Sequence, residues 1–237
     1  MTQLSVNLVE GANRRLDHYT TLRRRIHAQP ELGFEETETS ATVIEHLDAL
    51  GIEVATGVGR TGVVATISRG SGGSSIGLRA DMDALPIQEL NSFEYRSRFA
   101  NRFHGCGHDG HTTMLLAAAE LLVRTKFKGT VHLIFQPAEE GLGGAQAMID
   151  DGLFERFPCE RIFGMHNMPR YAPGCFAMRS GAFFAGADTF KIVIQGRGGH
   201  AAMPEKARDP ITASAELILA LQTIVSRKIS PHDPAVL

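Results

Sequence analysis

Three times in this 237-residue chain, an apolar run of strand length ends directly in side chains able to do chemistry. Ser75 to Ala80 delivers Asp81-Met82-Asp83, Thr130 to Phe135 delivers Gln136-Pro137-Ala138-Glu139-Glu140, and Arg161 to Met165 delivers His166. Between the first two, a helical spacing from about His111 to Thr125 gathers Leu115, Leu116, Ala119 and Leu122 on one face. Strands that alternate with helices and end in polar clusters describe an α/β domain. Its mostly parallel mixed sheet, with flanking helices, presents a site at the carboxyl edge.

The flanking segments fit that frame. Leu4, Leu8, Ala12, Leu16, Tyr19, Leu22 and Ile26 predict one helix over 4–27, stopped by Pro30, and Thr37 to Leu50 predicts another with Gly51 as its cap. Ile52 to Ala55 and Gly62 to Ile67 read as strands, followed by the Gly/Ser turn 68–74, and Ala145 to Asp150 as a helix. From about Phe184 the character changes. Asp188 to Gln195 alternates as a half-exposed strand does, 196–200 is a Gly-rich loop, and Asp209-Pro210 opens an amphipathic helix through Ile211, Ala215, Ile218, Leu221 and Val225. The expected division is a domain over 1–183 and an incomplete α+β unit over 184–237.

Composition narrows the class. A net charge of −2, with no long run of Lys or Arg, gives no reason to expect nucleic acid or a membrane surface as partner. Three widely spaced cysteines, at 106, 159 and 175, argue for a reducing compartment rather than a disulfide framework. The first residues lack a basic region followed by an apolar core, and the apolar run Leu115 to Val123 is too short to span a bilayer. A cytoplasmic protein is expected.

The densest chemistry lies in Phe103 to Thr112, which holds Cys106, His104, His108, His111 and Asp109. Cys106 and His108, two apart, can project to one side of an extended backbone and reach one metal together. With Glu140 and His166 they make a borderline-soft donor set suited to zinc, or to manganese, cobalt or nickel. Asp83 and Asp109 suit the task of acceptors that orient imidazoles. If Glu140 binds metal, its neighbour Glu139 points elsewhere and can serve as general base. Two plainer readings compete: a Gly-rich helix entry with solvated histidines, and acid residues at a helix N-terminus. Neither accounts for several clusters converging on one sheet edge. A cysteine nucleophile paired with His108 has poor geometry and leaves the double glutamate without a role. His27, His46 and His132 read as structural or exposed, and Cys159 and Cys175 as small apolar residues.

Leu78-Arg79-Ala80-Asp81-Met82-Asp83-Ala84-Leu85-Pro86, Cys106-Gly107-His108-Asp109-Gly110-His111, Phe135-Gln136-Pro137-Ala138-Glu139-Glu140, Met165-His166-Asn167-Met168-Pro169 and Gly196-Arg197-Gly198-Gly199-His200-Ala201-Ala202 occur in this order. Together they resemble the dinuclear metal amidohydrolases, the family of hippurate hydrolase, N-acyl-amino-acid amidohydrolases and plant indole-acetyl-amino-acid hydrolases. The resemblance implies a zinc-exopeptidase-like domain with two divalent metals, zinc or manganese. Cys106, His108, Glu140 and His166 are the implied ligands, and Glu139 the general base that assists a metal-bound hydroxide on the amide of a small N-acyl amino acid or short peptide-like substrate. It implies that His200 belongs to a lid that forms a homodimer, where the matching histidine reaches the partner's site and stabilises the oxyanion. Relatives continue through the rest of the lid and return with a final metal-binding histidine. No residue here matches it, and His232 is given no role, so the chain resembles an N-terminal portion, either an enzyme in design or an inactive metal-binding or dimerisation fragment.

Overall fold

Two helices open the chain where the apolar spacing predicts one: α1 (Gln3–Asn13) and α2 (Leu16–His27). The break falls where Arg15 N donates to Ala12 O and the Arg15 guanidinium turns to Glu120, 2.8 Å away. The computed structural model describes residues 3–184 and 186–237, and the expected contribution of the Leu4 side chain lies outside the described side chains. Helix α3 (Thr37–Asp48) starts at an acid group from the preceding turn. Buried Glu31 accepts from the backbone N–H groups of Thr37, Glu38 and Thr39 at 2.8–3.1 Å, filling the donors a helix N-terminus leaves open and suiting its dipole.

The sheet contains β1 (Glu53–Val58), β2 (Gly62–Arg69), β3 (Ser75–Asp81), β4 (Gly129–Gln136) and β5 (Arg161–Gly164), in the order β1-β2-β4-β3-β5. It is mixed. β3 runs parallel to β4 and β5, whereas β1 and β4 both pair antiparallel with β2. The parallel half carries the chemistry: Asp81 pairs with Gln136 at the ends of β3 and β4, and Arg79 with Gly164 at the end of β5. Three chain ends therefore leave the sheet side by side at its carboxyl edge.

Both faces of the central strands are covered. On one side Val131, Leu133 and Phe135 of β4 and Val63, Ala65 and Ile67 of β2 belong to a core with α2, α3 and α4 (His108–Leu122), through Leu22, Ile26, Val43, Leu47, Leu115 and Leu116. On the other, Val64 and Ile134 meet Met148 and Leu153 of the short helices α5 (Gly144–Asp150) and α6 (Leu153–Arg156). Each fully buried Leu contributes roughly 2 kcal/mol by area, and the larger core holds α4 with its first residue, His108, at the sheet edge.

The chain divides into two compact units, with the boundary between Met178 and Arg179. The second unit contains a 3-10 turn (Pro204–Lys206) and α7 (Pro210–Lys228). Asp209 caps α7 as its sequence position predicts, its two carboxylate oxygens accepting from Ile211 N at 2.8 Å and Thr212 Oγ1 at 2.6 Å. The strand expected over 188–195 is absent: a strand exists by its ladder, and among the described residues of this stretch only the isolated bridge Arg197–Arg208 forms nearby.

Candidate metal centre

Cys106 and His108 reach the same place, though not along extended backbone as their spacing suggested. Gly107 between them has φ 87° and is the N-cap of α4, so the chain turns through a left-handed residue from loop into helix. A Cβ there would also collide with the Asn167 side-chain oxygen, so backbone angle and space both require glycine. Cys106 Sγ lies 3.2 Å from His166 Nε2, and the donor atoms of Cys106, His108 and His166 lie within 4.8 Å of one another. His108, Glu139 and Glu140 form a second such group, with His108 in common.

His108 has divided its two nitrogens. Nδ1 contacts Asp83 Oδ1 at 3.2 Å, while Nε2 is buried without a hydrogen bond. It faces carboxylates instead: Asp81 Oδ2 at 3.7 Å, Glu140 Oε1 at 3.8 Å and Glu139 Oε2 at 4.0 Å. Glu140 Oε1 is likewise buried without a hydrogen-bond partner. Two orphaned polar atoms facing each other are costly, about 1–3 kcal/mol each. A divalent cation between them satisfies both, and thiol, imidazoles and carboxylate are the donor types that zinc and its neighbours take. The residues present fit a metal.

The surroundings hold these donors in place. Asp83 Oδ2 accepts from Glu140 N at 2.9 Å, so one carboxylate steers both the His108 ring and the double-glutamate backbone. Burial works to raise the Asp83 pKa, but the His108 hydrogen bond and the backbone donors of Glu140 and Glu139 outweigh it and hold it below the ordinary value. Asp81, to which the sequence reading gave no separate task, is fully buried between Arg79, at 2.6 Å, and His111 Nδ1, also at 2.6 Å. Against the effect of burial, the His111 hydrogen bond and the charges of Arg79 and His108 bring it down to about 2. The signal was its place two residues before Asp83 at a strand end. Burial, then Glu140 and Glu139, push the Cys106 thiol up to about 12, so metal binding at this sulfur displaces a proton.

Asp109, expected to orient a metal-binding imidazole, faces away from the centre. Its Oδ2 accepts from Arg23 NH1 at 2.9 Å and contacts His27 Nδ1 at 2.8 Å, and His27 Nε2 lies 3.2 Å from Glu89 Oε1. The side chain of the first-turn residue Asp109 thus anchors α4 to α2, with His27 bridging two acids. His104, beside this network, is buried with both ring nitrogens lacking a hydrogen bond. Burial above all takes it down to about 4, so it is neutral at neutral pH.

Burial works to lower the His27 pKa, but hydrogen bonds and charges from Asp109 and then Glu89 outweigh it, and the value rises above 6.5. The folded state therefore holds this proton more tightly than the unfolded chain. Its stabilisation is complete below about pH 6.5 and is lost as pH rises through the folded value. Urea unfolding from about pH 6 to pH 9 is expected to show declining stability in the parent protein and a flatter profile in His27→Gln. Equal slopes would refute the charged bridge.

His200 lies in the second unit, exposed in the loop before the 3-10 turn, where its Nδ1 accepts from Ala202 N at 3.1 Å. Among the described residues, no helix is long and apolar enough to cross a membrane.

Known proteins are similar to this chain in sequence and fold. Hippurate hydrolase of Campylobacter jejuni is 51% identical over 218 residues, covering 92% of this chain and 57% of its own length. IAA-amino acid hydrolase ILR1-like 2 of Arabidopsis thaliana is 46% identical over 239 residues, covering 99% and 54%. This chain thus spans a little over half the length of these relatives. Among solved structures, the Bacillus subtilis YXEP protein, a dinuclear metal binding peptidase from M20 family, superposes with a TM-score of 0.61 at 40% identity, over 65% of this chain and 43% of that one. The signature of Peptidase family M20/M25/M40 matches residues 77–236, which include every residue of the centre, and the chain belongs to that family.

Proposed function

We propose that the centre holds two divalent cations, zinc or manganese with cobalt and nickel as substitutes, and that the protein hydrolyses the amide bond of N-acyl amino acids. The observation that carries this reading is the facing pair of orphaned atoms, His108 Nε2 and Glu140 Oε1, with Glu139 beside them. Cys106, His108, Glu140 and His166 hold the metals. When bound, the metals lower the pKa of water and polarise a carbonyl.

The remaining work belongs to side chains of this protein. Glu139, 40% exposed where Glu140 is 25%, is open to substrate and water. Its Oε2 takes the proton of the attacking water and passes it to the amide nitrogen as the carbon–nitrogen bond breaks. Asp83 keeps the His108 ring turned so that Nε2 faces the carboxylates. By the resemblance, His200 of one copy donates to the carbonyl oxygen in the partner copy's site as negative charge develops there, from a lid over 184–237 that pairs two copies of the protein. Hippurate hydrolase and IAA-amino acid hydrolase are named for N-acyl amino acids, which sets the substrate class to test first.

The test uses protein stripped with chelator and reloaded with zinc or manganese, assayed on N-benzoyl, N-acetyl and indole-acetyl amino acids. The expected result is turnover that chelation abolishes and metal restores. Metal binding with no turnover on any of these amides would leave a metal-binding module and overturn the hydrolase reading.

A further inference from the structure

A second set of metal-binding side chains lies at the far end of α4 from this centre. We infer that His18, His46 and Glu120 form a separate site for one transition-metal cation of the zinc, nickel and cobalt type. The inference stands apart from the hydrolase reading.

Three helices supply the ligands: His18 from the first turn of α2, His46 from the last turn of α3, and Glu120 from near the end of α4. At 1.5 Å per residue, Glu120 stands about 18 Å along α4 from His108, so the two sites share no ligand. His46 Nε2 lies 2.8 Å and His18 Nε2 3.7 Å from the same oxygen, Glu120 Oε1, and the three donor atoms lie within 4.8 Å of one another. A tetrahedral metal holds pairs of nitrogen and oxygen ligands roughly 3.4 Å apart. Small side-chain rotations reach that spacing.

An ordinary buried ion pair explains only half of the arrangement. Glu120, 3% exposed, gives Oε2 to Tyr19 Oη at 3.0 Å and to Arg15 NH1 at 2.8 Å. Those two donors serve the structural need. Oε1 is left to the two imidazoles: His46 Nε2 is buried 2.8 Å from it, close enough for an ion pair but without the geometry of a well-formed hydrogen bond. An unpaired buried ring nitrogen aimed beside a carboxylate oxygen suits a cation that both can ligate. His18, about half exposed, opens the site to solvent and leaves room for water to complete the coordination. Such an ion would clip together three helices of the main core, a stabilising rather than a catalytic role.

The test is a zinc titration, by calorimetry, of chelator-stripped protein whose first centre is disabled by Cys106→Ser and His166→Gln. The expected result is a residual equivalent of zinc that raises the Tm. Adding His18→Gln, at a half-exposed position that leaves the core intact, weakens that equivalent roughly 100-fold and removes the thermal shift. In otherwise unaltered protein, His18→Gln alone lowers bound zinc by one per chain, which keeps the test valid if the disabled protein folds poorly. Absence of any His18-dependent zinc in both backgrounds, or binding that survives both His18→Gln and His46→Gln, would overturn the site.

Discussion

Glu139→Gln is expected to lower kcat by about 10³-fold while metal content stays at the parent level. The amide matches the carboxylate in volume, so the loop 136–140 keeps its shape, but it cannot take a proton from water. Glu140→Gln should behave differently. Its Oε1 is the buried atom facing His108 Nε2 at 3.8 Å, so its loss removes metal as well as turnover. Measuring kcat, KM and metal per chain for both variants separates a base from a ligand. Loss of metal in Glu139→Gln would make Glu139 a ligand, consistent with its place within 4.8 Å of His108 and Glu140 donor atoms, and would move the base elsewhere. An unchanged kcat would remove it from the chemistry.

The strands and the centre's first residues were legible because the information is local. An apolar run such as Thr130 to Phe135 declares a buried strand, and the acids behind it declare the edge at which it ends. What could not be read depends on partners distant in sequence. Asp109 sits beside His108 in the chain, yet its carboxylate goes to Arg23 and His27, 86 and 82 residues earlier. The spacing of Cys106 and His108 allows an extended chain or a turn, and nothing in that spacing announces the left-handed Gly107 with Asn167 beside it. The alternation over 188–195 states only that one face could be buried, not that a neighbouring strand is there to bury it. Glu120 and His46 illustrate the same limit: each looks like a polar residue on a helix, and only the packing of α2, α3 and α4 brings them into contact.

Glu36 is the distant partner with the largest expected consequence. It is fully buried, its Oε1 accepting from Ala138 N at 2.7 Å across 102 residues of sequence and its Oε2 from Thr61 Oγ1 at 2.5 Å. Ala138 needs that support because it holds φ 48°, a left-handed conformation that costs a non-glycine residue about 1 kcal/mol or more. This strained residue aims the next two, Glu139 and Glu140. Glu36 therefore acts as a positioning residue: its carboxylate fixes the turn from behind while Asp83 fixes Glu140 N from the front. Glu36→Ala leaves the buried Ala138 N and the half-buried Thr61 hydroxyl unmatched and opens a cavity, and is expected to cost about 3 kcal/mol of stability. Release of the turn should also cut kcat about 100-fold by misplacing Glu139. Glu36→Gln should recover most of both, because its amide oxygen accepts from Ala138 N and its NH₂ donates to the Thr61 hydroxyl. Burial raises the Glu36 pKa, its hydrogen bonds only partly opposing this. Chemical denaturation and steady-state kinetics on the two variants decide the matter. If Glu36→Ala loses stability but keeps kcat once folded, the contact is structural only. If Glu36→Gln fails to restore activity, the charge of Glu36, rather than the hydrogen bond to Ala138, is what the centre requires.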